Sequence, residues 1–477
     1  MTSLYAKTVV FVASAAVLVL EILAGRLMAP YVGVSLETFT GIIGTVLAGI
    51  ALGSAVGGRL ADKGNPVALI AGAYGFGGIL AWASIPIIAA LGPGMSAQPA
   101  SIVALTATAF FAPAAALSAV TPMAAKAHLT DLDETGAVIG DLSASSTAGA
   151  LCGTFLTGFV LVAALPTSTI ILIVGSVLVV GGLLIALRLT TIRPSLGAVV
   201  LGAAALAGGL VTPSRCEEET AYNCVRIETD ADNSSGRSVY INYLRNSYVD
   251  IDDPTNLGFR YTRLFGAVVD AMPPGPLRAV HIGGAGVAFP RYVAETRPGS
   301  NQVVLEIDGG IIALAERDLG LVVGQGIDVV IGDARLALGD LETDAYDFIV
   351  GDAFSGITVP WHLTTSEVVA EFDRLLVDNG IYVMNLIDGG ESRFARAQLA
   401  TLEEHFDYLG VVIPIGDTVT RSVVNQVLIA SDTPIPRVDI SFDDGQLFTG
   451  SAISEFIDGA NVLTDDFAPV DQLTKNE

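Results

Sequence analysis

Positive charge, cysteine and histidine are all scarce in this chain of 477 residues, where 24 lysines and arginines face 49 acids and there are three cysteines and four histidines. The shortage of positive charge is uneven. From Met1 to Ser214 seven basic residues (Lys7, Arg26, Arg59, Lys63, Lys126, Arg188, Arg193) balance seven acids (Glu21, Glu37, Asp62, Asp131, Asp133, Glu134, Asp141), so the remainder carries the whole net charge of −25. A domain that acidic repels nucleic acid and anionic lipid. It suits a cationic substrate, or simply a soluble surface. The cysteines supply no metal framework. Cys152 sits in an apolar run, where a small core residue is expected. Cys216 and Cys224 flank Glu217-Glu218-Glu219 at a spacing that fits no common zinc site, and no second ligand pair follows. They form a local disulfide if their compartment is oxidising, or stay as two thiols.

What the first half has instead is apolar sequence almost without a break up to Pro213. Stretches long enough to span lipid fall at roughly Lys7–Ala24, Thr38–Leu60, Val67–Leu91, Ser101–Val120, Ser143–Leu165, Thr167–Leu187 and Ser195–Val211, which predicts about seven helices. The first is no cleavable signal, because Glu21 interrupts its end and further spans follow. Gly49, Gly53 and Gly57 recur every four residues, with Gly44 upstream, a small-residue stripe that lets a neighbouring backbone approach. The end of that helix, Gly58-Arg59-Leu60-Ala61-Asp62, resembles a loop pattern of major-facilitator transporters. A charge at mid-bilayer costs roughly 2.5–3.5 kcal/mol. Glu21 lies nearer the helix end, so it is read as an interfacial partner of Arg26 or as a polar contact for a substrate or proton inside the bundle.

With seven spans, the N-terminus and the even-numbered loops share Lys7, Arg59, Lys63, Lys126, Arg188 and Arg193, against Arg26 on the other side. The positive-inside bias then puts the N-terminus in the cytoplasm and the soluble half outside. A cytosolic nucleotide cofactor argues the other way, and one helix more or fewer reverses the answer.

Beyond Pro213 the pattern is that of a water-soluble fold. Val225 and Ile227, then Val239, Ile241 and Tyr243, alternate in strand fashion around the turn Asp232-Asn233-Ser234-Ser235-Gly236. A helical pattern follows from Thr255 to Met272, closed by Pro273-Pro274-Gly275-Pro276. Residues 214–272 thus read as a β-subdomain with a lead-in helix, between a transmembrane domain (1–213) and an α/β domain (273–477). In the last of these, strands are predicted at Leu277–Ile282, Gln302–Ile307, Ile327–Ile331, Tyr346–Val350 and Gly380–Leu386. Helices begin at Phe289 and run over Gly309–Leu319 and Glu367–Leu376. Such a series builds a parallel sheet that holds its ligand at the C-terminal strand ends.

Those ends carry the chemistry. Gly283, Gly284 and Gly286 follow the first strand and clear side chains from a backbone that must approach a cofactor. Glu306 or Asp308, about 20 residues on, can accept from both ribose hydroxyls. Asp333 can accept from an adenine amine, and Asp352 points into the crevice beside the reacting centre. His281, inside the first strand, is read as a satisfied core residue.

At these residues the soluble half resembles spermidine synthase, the aminopropyltransferase branch of the methyltransferase-like fold. Leu305-Glu306-Ile307-Asp308 matches the family's ribose motif, Gly332-Asp333-Ala334 resembles its adenine-contacting turn, and Tyr346-Asp347-Phe348-Ile349-Val350-Gly351-Asp352-Ala353 resembles the strand with its catalytic aspartate. The opening Glu21–Tyr31 and the tail Leu463-Thr464-Asp465-Asp466-Phe467-Ala468-Pro469-Val470 resemble bacterial proteins in which a multi-span domain is fused to such a domain. The fold expected is therefore a multi-span α-helical membrane domain plus an α/β Rossmann-like methyltransferase/spermidine-synthase fold with a small N-terminal β-subdomain. The resemblance implies S-adenosylmethionine or its decarboxylated form as co-substrate and no metal. It implies Asp352 as the catalytic residue, donor contacts from Gly283, Gly284, Gly286, Glu306, Asp308, Asp333 and Ala334, and substrate contacts from Tyr261, Trp361 and His362. By analogy Asp253 could also reach the site, and His362 also reads as a plain loop residue.

Two departures bear on the reaction. The family's glycine loop carries an aspartate for the donor's terminal ammonium where this chain has Gly286, and Ala353-Phe354-Ser355-Gly356 follows Asp352 where a second acid is usual. A hydrogen bond to a charged group is worth about 1.5–3 kcal/mol, so methyl transfer stands beside aminopropyl transfer to a polyamine. The expected setting is the plasma (inner) membrane. The expected partners are the lipid bilayer, a small-molecule amine or membrane-proximal acceptor, a second copy of the chain, and no nucleic acid. The rival class is a transport or envelope-assembly protein whose Rossmann-like domain only binds or regulates.

Overall fold

The computed structural model describes residues 1–96, 98–129, 131, 133–188, 195–389, 391–414, 424–440 and 444–474. Two compact units are present: Met1–Arg226 with Ile241–Tyr243, and Ile227–Tyr240 with Leu244–Glu477.

Among the described residues of the first unit six helices are long and apolar enough to cross a membrane: Ser3–Val32, Leu36–Lys63, Pro66–Gly94, Pro99–His128, Thr135–Ala164 and Thr167–Leu187. A seventh, Leu196–Val211, has 16 residues. At 1.5 Å per residue it spans about 24 Å, short of a hydrocarbon core about 30 Å thick. The expectation of about seven spans thus resolves into six long helices and a short one. Three of these helices start at a capping side chain. Ser35 accepts from the Thr38 amide, Asn65 from those of Val67 and Ala68 just ahead of Pro66, and Ser195 from that of Ala198.

The glycine stripe is a packing seam. A Cβ at Gly49 would lie 2.9 Å from the Phe111 carbonyl oxygen, and one at Gly57 would lie 2.7 Å from Ala119 Cα. One expectation is overturned here. Cys152 is exposed, not a core residue. Apolar side chains of these helices face outward as readily as inward, as Phe155, Phe159 and Val177 also do. Arg193, counted in the charge bias, lies outside the described residues.

A small sheet has the order β1 (Glu218–Glu219), β2 (Cys224–Thr229), β3 (Gly236–Ile241), β4 (Leu244–Asp250). The larger sheet has eight strands in the order β12-β10-β11-β9-β8-β5-β6-β7. Its parallel part comprises β5 (Arg278–Ile282), β6 (Asn301–Glu306), β7 (Ile327–Ile331), β8 (Tyr346–Gly351) and β9 (Leu376–Asp388). The rest, β10 (Tyr408–Ile413), β11 (Val424–Ser431) and β12 (Gln446–Thr449), joins antiparallel. Both faces are covered. Phe348 and Val350 enter a core with Phe265 and Phe289, whereas Ile349 between them enters one with Phe372 and Phe394.

The five parallel strands lie where the apolar runs placed them, within a few residues. The lead-in helix is shorter than expected, Arg260–Ala271. Asp253 Oδ1 instead accepts from the Thr255 amide and hydroxyl, folding those residues into a turn.

Candidate active site

Strand order reverses between β5 and β8, and it is there that an open α/β sheet leaves a crevice. Backbone hydrogen bonds join the strand tips around it. The Gly283 amide donates to Leu305 O at 2.9 Å, the Asp352 amide to Ile282 O at 2.9 Å, and the Gly332 amide to Glu306 O at 2.9 Å. The ends of β5, β6, β7 and β8 therefore form one rim carrying the glycine turn, Glu306, Asp333 and Asp352.

The turn is built for glycine. Gly283 has φ +88°, and a Cβ on it would lie 2.7 Å from Asp352 O. Gly286 has φ +76°, and its Cβ would lie 2.7 Å from Ser247 Oγ on β4. No acid can therefore stand at position 286 without rebuilding this turn. Gly284 matters through its backbone, because its amide donates to Glu306 Oε2 at 2.8 Å.

Glu306 is 7% exposed. Its Oε1 accepts from the Asp308 amide at 2.9 Å. Burial raises its pKa, and the amides of Asp308 and Gly284 act in the opposite direction. A carboxylate with two lone pairs so used still has acceptor capacity for a ligand. Asp308 is itself buried, and its Oδ1 accepts from the Gly310 amide at 3.1 Å, capping helix Gly309–Asp318. Asp333 likewise caps the short helix Ala334–Leu338. His362 Nε2 lies 3.4 Å from Asp333 Oδ1, which places this histidine at the expected adenine end. Trp361 stands edge-on to His362 with ring centroids 5.8 Å apart and is 50% exposed.

Asp352 is the most perturbed carboxyl of the rim. It keeps a partly accessible surface, yet protein surrounds it closely enough to push its pKa up to about 7. Desolvation is the main cause, and hydrogen bonds from Asn385 and Tyr261 pull the other way. Asn385 Nδ2 donates to Asp352 Oδ1 at 2.8 Å, and Asn425 Nδ2 donates to Asn385 Oδ1 at 2.9 Å. Tyr261 is buried on helix Arg260–Ala271, and desolvation first, then Asp352, holds its phenol protonated well beyond the usual range. A carboxyl that titrates near neutrality, with two donors orienting it, is suited to taking a proton from an amine or hydroxyl.

The geometry thus brings Gly283, Gly284, Gly286, Glu306, Asp308, Asp333, Ala334, Tyr261 and Asp352 to one rim, with His362 beside Asp333. Asp253 is engaged with Thr255. His281 is a core residue: Nε2 lies 2.8 Å from Gln302 Oε1, and burial lowers its pKa to about 4. Sequence reasoning passed over Asn385, although an amide inside the apolar run Ile381–Leu386 was a usable signal. It also passed over Arg335. This guanidinium bonds His362 O at 3.0 Å, Thr365 Oγ1 at 3.0 Å and Asp465 Oδ2 at 2.8 Å, tying the segment after Asp352 to the tail. Among the described residues no cluster of three or more metal-ligating side chains occurs.

No family model matches the chain. It is 28% identical over 220 residues to a polyamine aminopropyltransferase of Vibrio vulnificus (strain CMCP6), covering 42% of this chain and 71% of that protein. A second polyamine aminopropyltransferase, from Chromobacterium violaceum, is 28% identical over 145 residues, covering 30% of this chain and 54% of its own length. Among solved structures, a probable spermidine synthase from Corynebacterium glutamicum ATCC 13032 superposes with a TM-score of 0.50 at 25% identity, covering 54% of this chain and 99% of that one. The C-terminal part therefore has spermidine synthase homologues and a Rossmann-like fold of the spermidine synthase kind. Ahead of it stand six long apolar helices that fit a membrane domain.

Proposed function

We propose that the chain is a membrane-anchored transferase that moves an alkyl group from an S-adenosylmethionine-type sulfonium to an amine. The observation that carries the reading is the placement of the Asp352 carboxyl, held by Asn385 beside a bare glycine turn and a buried ribose-type acid. Gly283, Gly284 and Gly286 would admit the donor's backbone-side approach, Glu306 would accept from its ribose hydroxyls, and Asp333 with Ala334 would face its adenine. Asp308, spent on capping a helix, would support Glu306 through its amide. The acceptor nitrogen attacks the carbon next to sulfur, the C–N bond forms as the C–S bond breaks, the electron pair leaves with the thioether, and the nitrogen's proton passes to Asp352. Tyr261 and Asn385 would hold that carboxyl, and Trp361 would border the acceptor.

The homologues favour aminopropyl transfer to a polyamine. A specific feature favours methyl transfer as a second reading: position 286, where the donor's ammonium would need an acid, is held by a left-handed glycine packed against Ser247. The deciding experiment is calorimetry of the full-length protein in detergent with S-adenosylmethionine and its decarboxylated form, followed by mass analysis of products with spermidine, putrescine and lipid amines. Binding of one donor alone, with loss of turnover but not of binding in Asp352→Asn, supports the reading. Binding of neither donor leaves a transport or assembly protein with a regulatory domain.

A further inference from the structure

The short helix Leu196–Val211 decides on which side of the membrane the acidic half lies, and its packing gives it a direction. A Cβ at Gly202 would lie 3.3 Å from Ile79 Cδ1, and one at Gly208 would lie 3.3 Å from Pro86 Cγ. Advancing six residues along one helix advances seven along the other, so it runs alongside Pro66–Leu91 and parallel to it. It therefore runs along the bundle instead of lying flat at its edge, and the residues that flank its 16 complete the crossing. Its outward residues Leu196, Val200, Leu201 and Val211 are exposed and apolar, as a lipid-facing helix requires.

The two ends of the bundle are chemically different. One end gathers Met1, Lys7, Lys63, Lys126 and Arg188. There the N-terminal ammonium reaches Ala127 O, Lys7 pairs with Asp141 at 2.7 Å, Lys126 with Asp62 at 2.9 Å, and Arg188 stacks over Tyr5. The other end holds the last turns of Ser3–Val32 and the first turn of Thr167–Leu187, and the chain emerging from Leu196–Val211 docks there. Arg26 Nη1 and Nη2 donate to Ala221 O at 2.7 Å and Thr220 O at 2.6 Å. Glu219 Oε2 accepts from the Thr167 amide at 2.8 Å, and Arg215 lies over the Tyr31 ring. The same docked loop is closed by the Cys216–Cys224 disulfide.

We infer that the chain crosses the bilayer seven times and that the crevice carrying Asp352 lies outside the cytoplasm, behind an oxidised Cys216–Cys224 loop clamped by Arg26 and Glu219. Three independent observations agree. The short helix runs across the bundle, the lysines and arginines concentrate at the end away from the docked loop, and the docked loop holds a disulfide of the kind that persists in oxidising compartments. An acceptor for a crevice on that side is an extracytoplasmic amine, and an adenosyl donor has to cross the bilayer to reach it. The inference does not depend on the transferase reading.

The test uses the full chain in living cells. Green fluorescent protein or alkaline phosphatase is fused after Glu477 and, separately, inserted at Asn65. The expected result is an active phosphatase and dark fluorophore after Glu477, with the reverse at Asn65. In parallel, a membrane-permeant maleimide applied to intact cells should leave Cys216 and Cys224 unlabelled until a reductant is added, with Cys152→Ser removing the third thiol. Fluorescence after Glu477, or labelling of Cys216 and Cys224 without reductant, overturns the proposal.

Discussion

The two halves of this chain bury apolar side chains for opposite reasons, and the difference fixes what each can do. In the α/β half, water drives burial, so Ile349 and Val350 alternate into two cores while acids crowd the strand tips and surface. In the helical half large apolar side chains such as Phe155, Phe159 and Leu187 are exposed as well as buried, so no such gradient exists. Close backbone contact replaces it, at Gly49 on Phe111, Gly53 on Ala115 and Gly57 on Ala119. One half is free to gather charge at a crevice, and the other is almost barred from doing so.

The sharpest way to separate the halves is Asp352→Asn. The substitution keeps the shape of the group beside Tyr261 and Asn385 but removes the proton acceptor. Turnover should fall about 10²–10⁴-fold, the usual contribution of a positioned base, while donor affinity by calorimetry and the folding of the helical half stay as they were. Retained turnover would take Asp352 out of the chemistry. Next in size is Glu306→Gln. It keeps a possible acceptor for the Gly284 amide but weakens a charged hydrogen bond of about 1.5–3 kcal/mol, so donor affinity should fall about ten- to a hundred-fold. An unchanged affinity would mean that the donor lies elsewhere.

In the other half the corresponding probe is Gly53→Val. Its Cβ meets the backbone of Ala115, which cannot yield as a side-chain tip can. Overpacking of this kind costs about 1–3 kcal/mol. The expected outcome is a lowered detergent-solubilised Tm with donor affinity intact. A fall in donor affinity at unchanged Tm would show that the halves are not separable in this way.

This asymmetry also explains what the sequence disclosed. The parallel strands could be read because each is a short apolar run ending in glycine or acid, and Asp352 because its run ends beside the crevice. Asn385 offered one signal, an amide inside an apolar run, but the roles of Asn385, Asn425 and Arg335 were not legible, since they come from partners 33, 40 and 130 residues away. Strands β10, β11 and β12 pair antiparallel beyond β9, and no repeat of the strand–loop–helix pattern announces them. In the helical half, length and hydropathy located the apolar helices, about seven expected against six long ones and a short one among the described residues, but assigned Cys152 to the core, because an apolar run without a polar face does not reveal its orientation.

The finest probe is pH. Desolvation places the Asp352 pKa at about 7, against 3.8 for a free aspartate. A base is competent only when ionised, so turnover should drop about tenfold per unit below pH 7 and level off above it. The same shift has a stability consequence of known sign. The folded protein binds this proton more tightly than the unfolded chain, so the group's contribution is full below about pH 4 and is lost as the pH rises through 7. Asn385 and Tyr261 both favour the carboxylate. Removing either donor, by Asn385→Leu or Tyr261→Phe, should therefore move the acidic limb to higher pH, and a limb that moves to lower pH, or stays fixed in both variants, would exclude Asp352 as the group that titrates. A merely structural role for Asn385 would depress the plateau without moving the limb. The measurement thus tells a positioning residue of the crevice from one that only fills its strand.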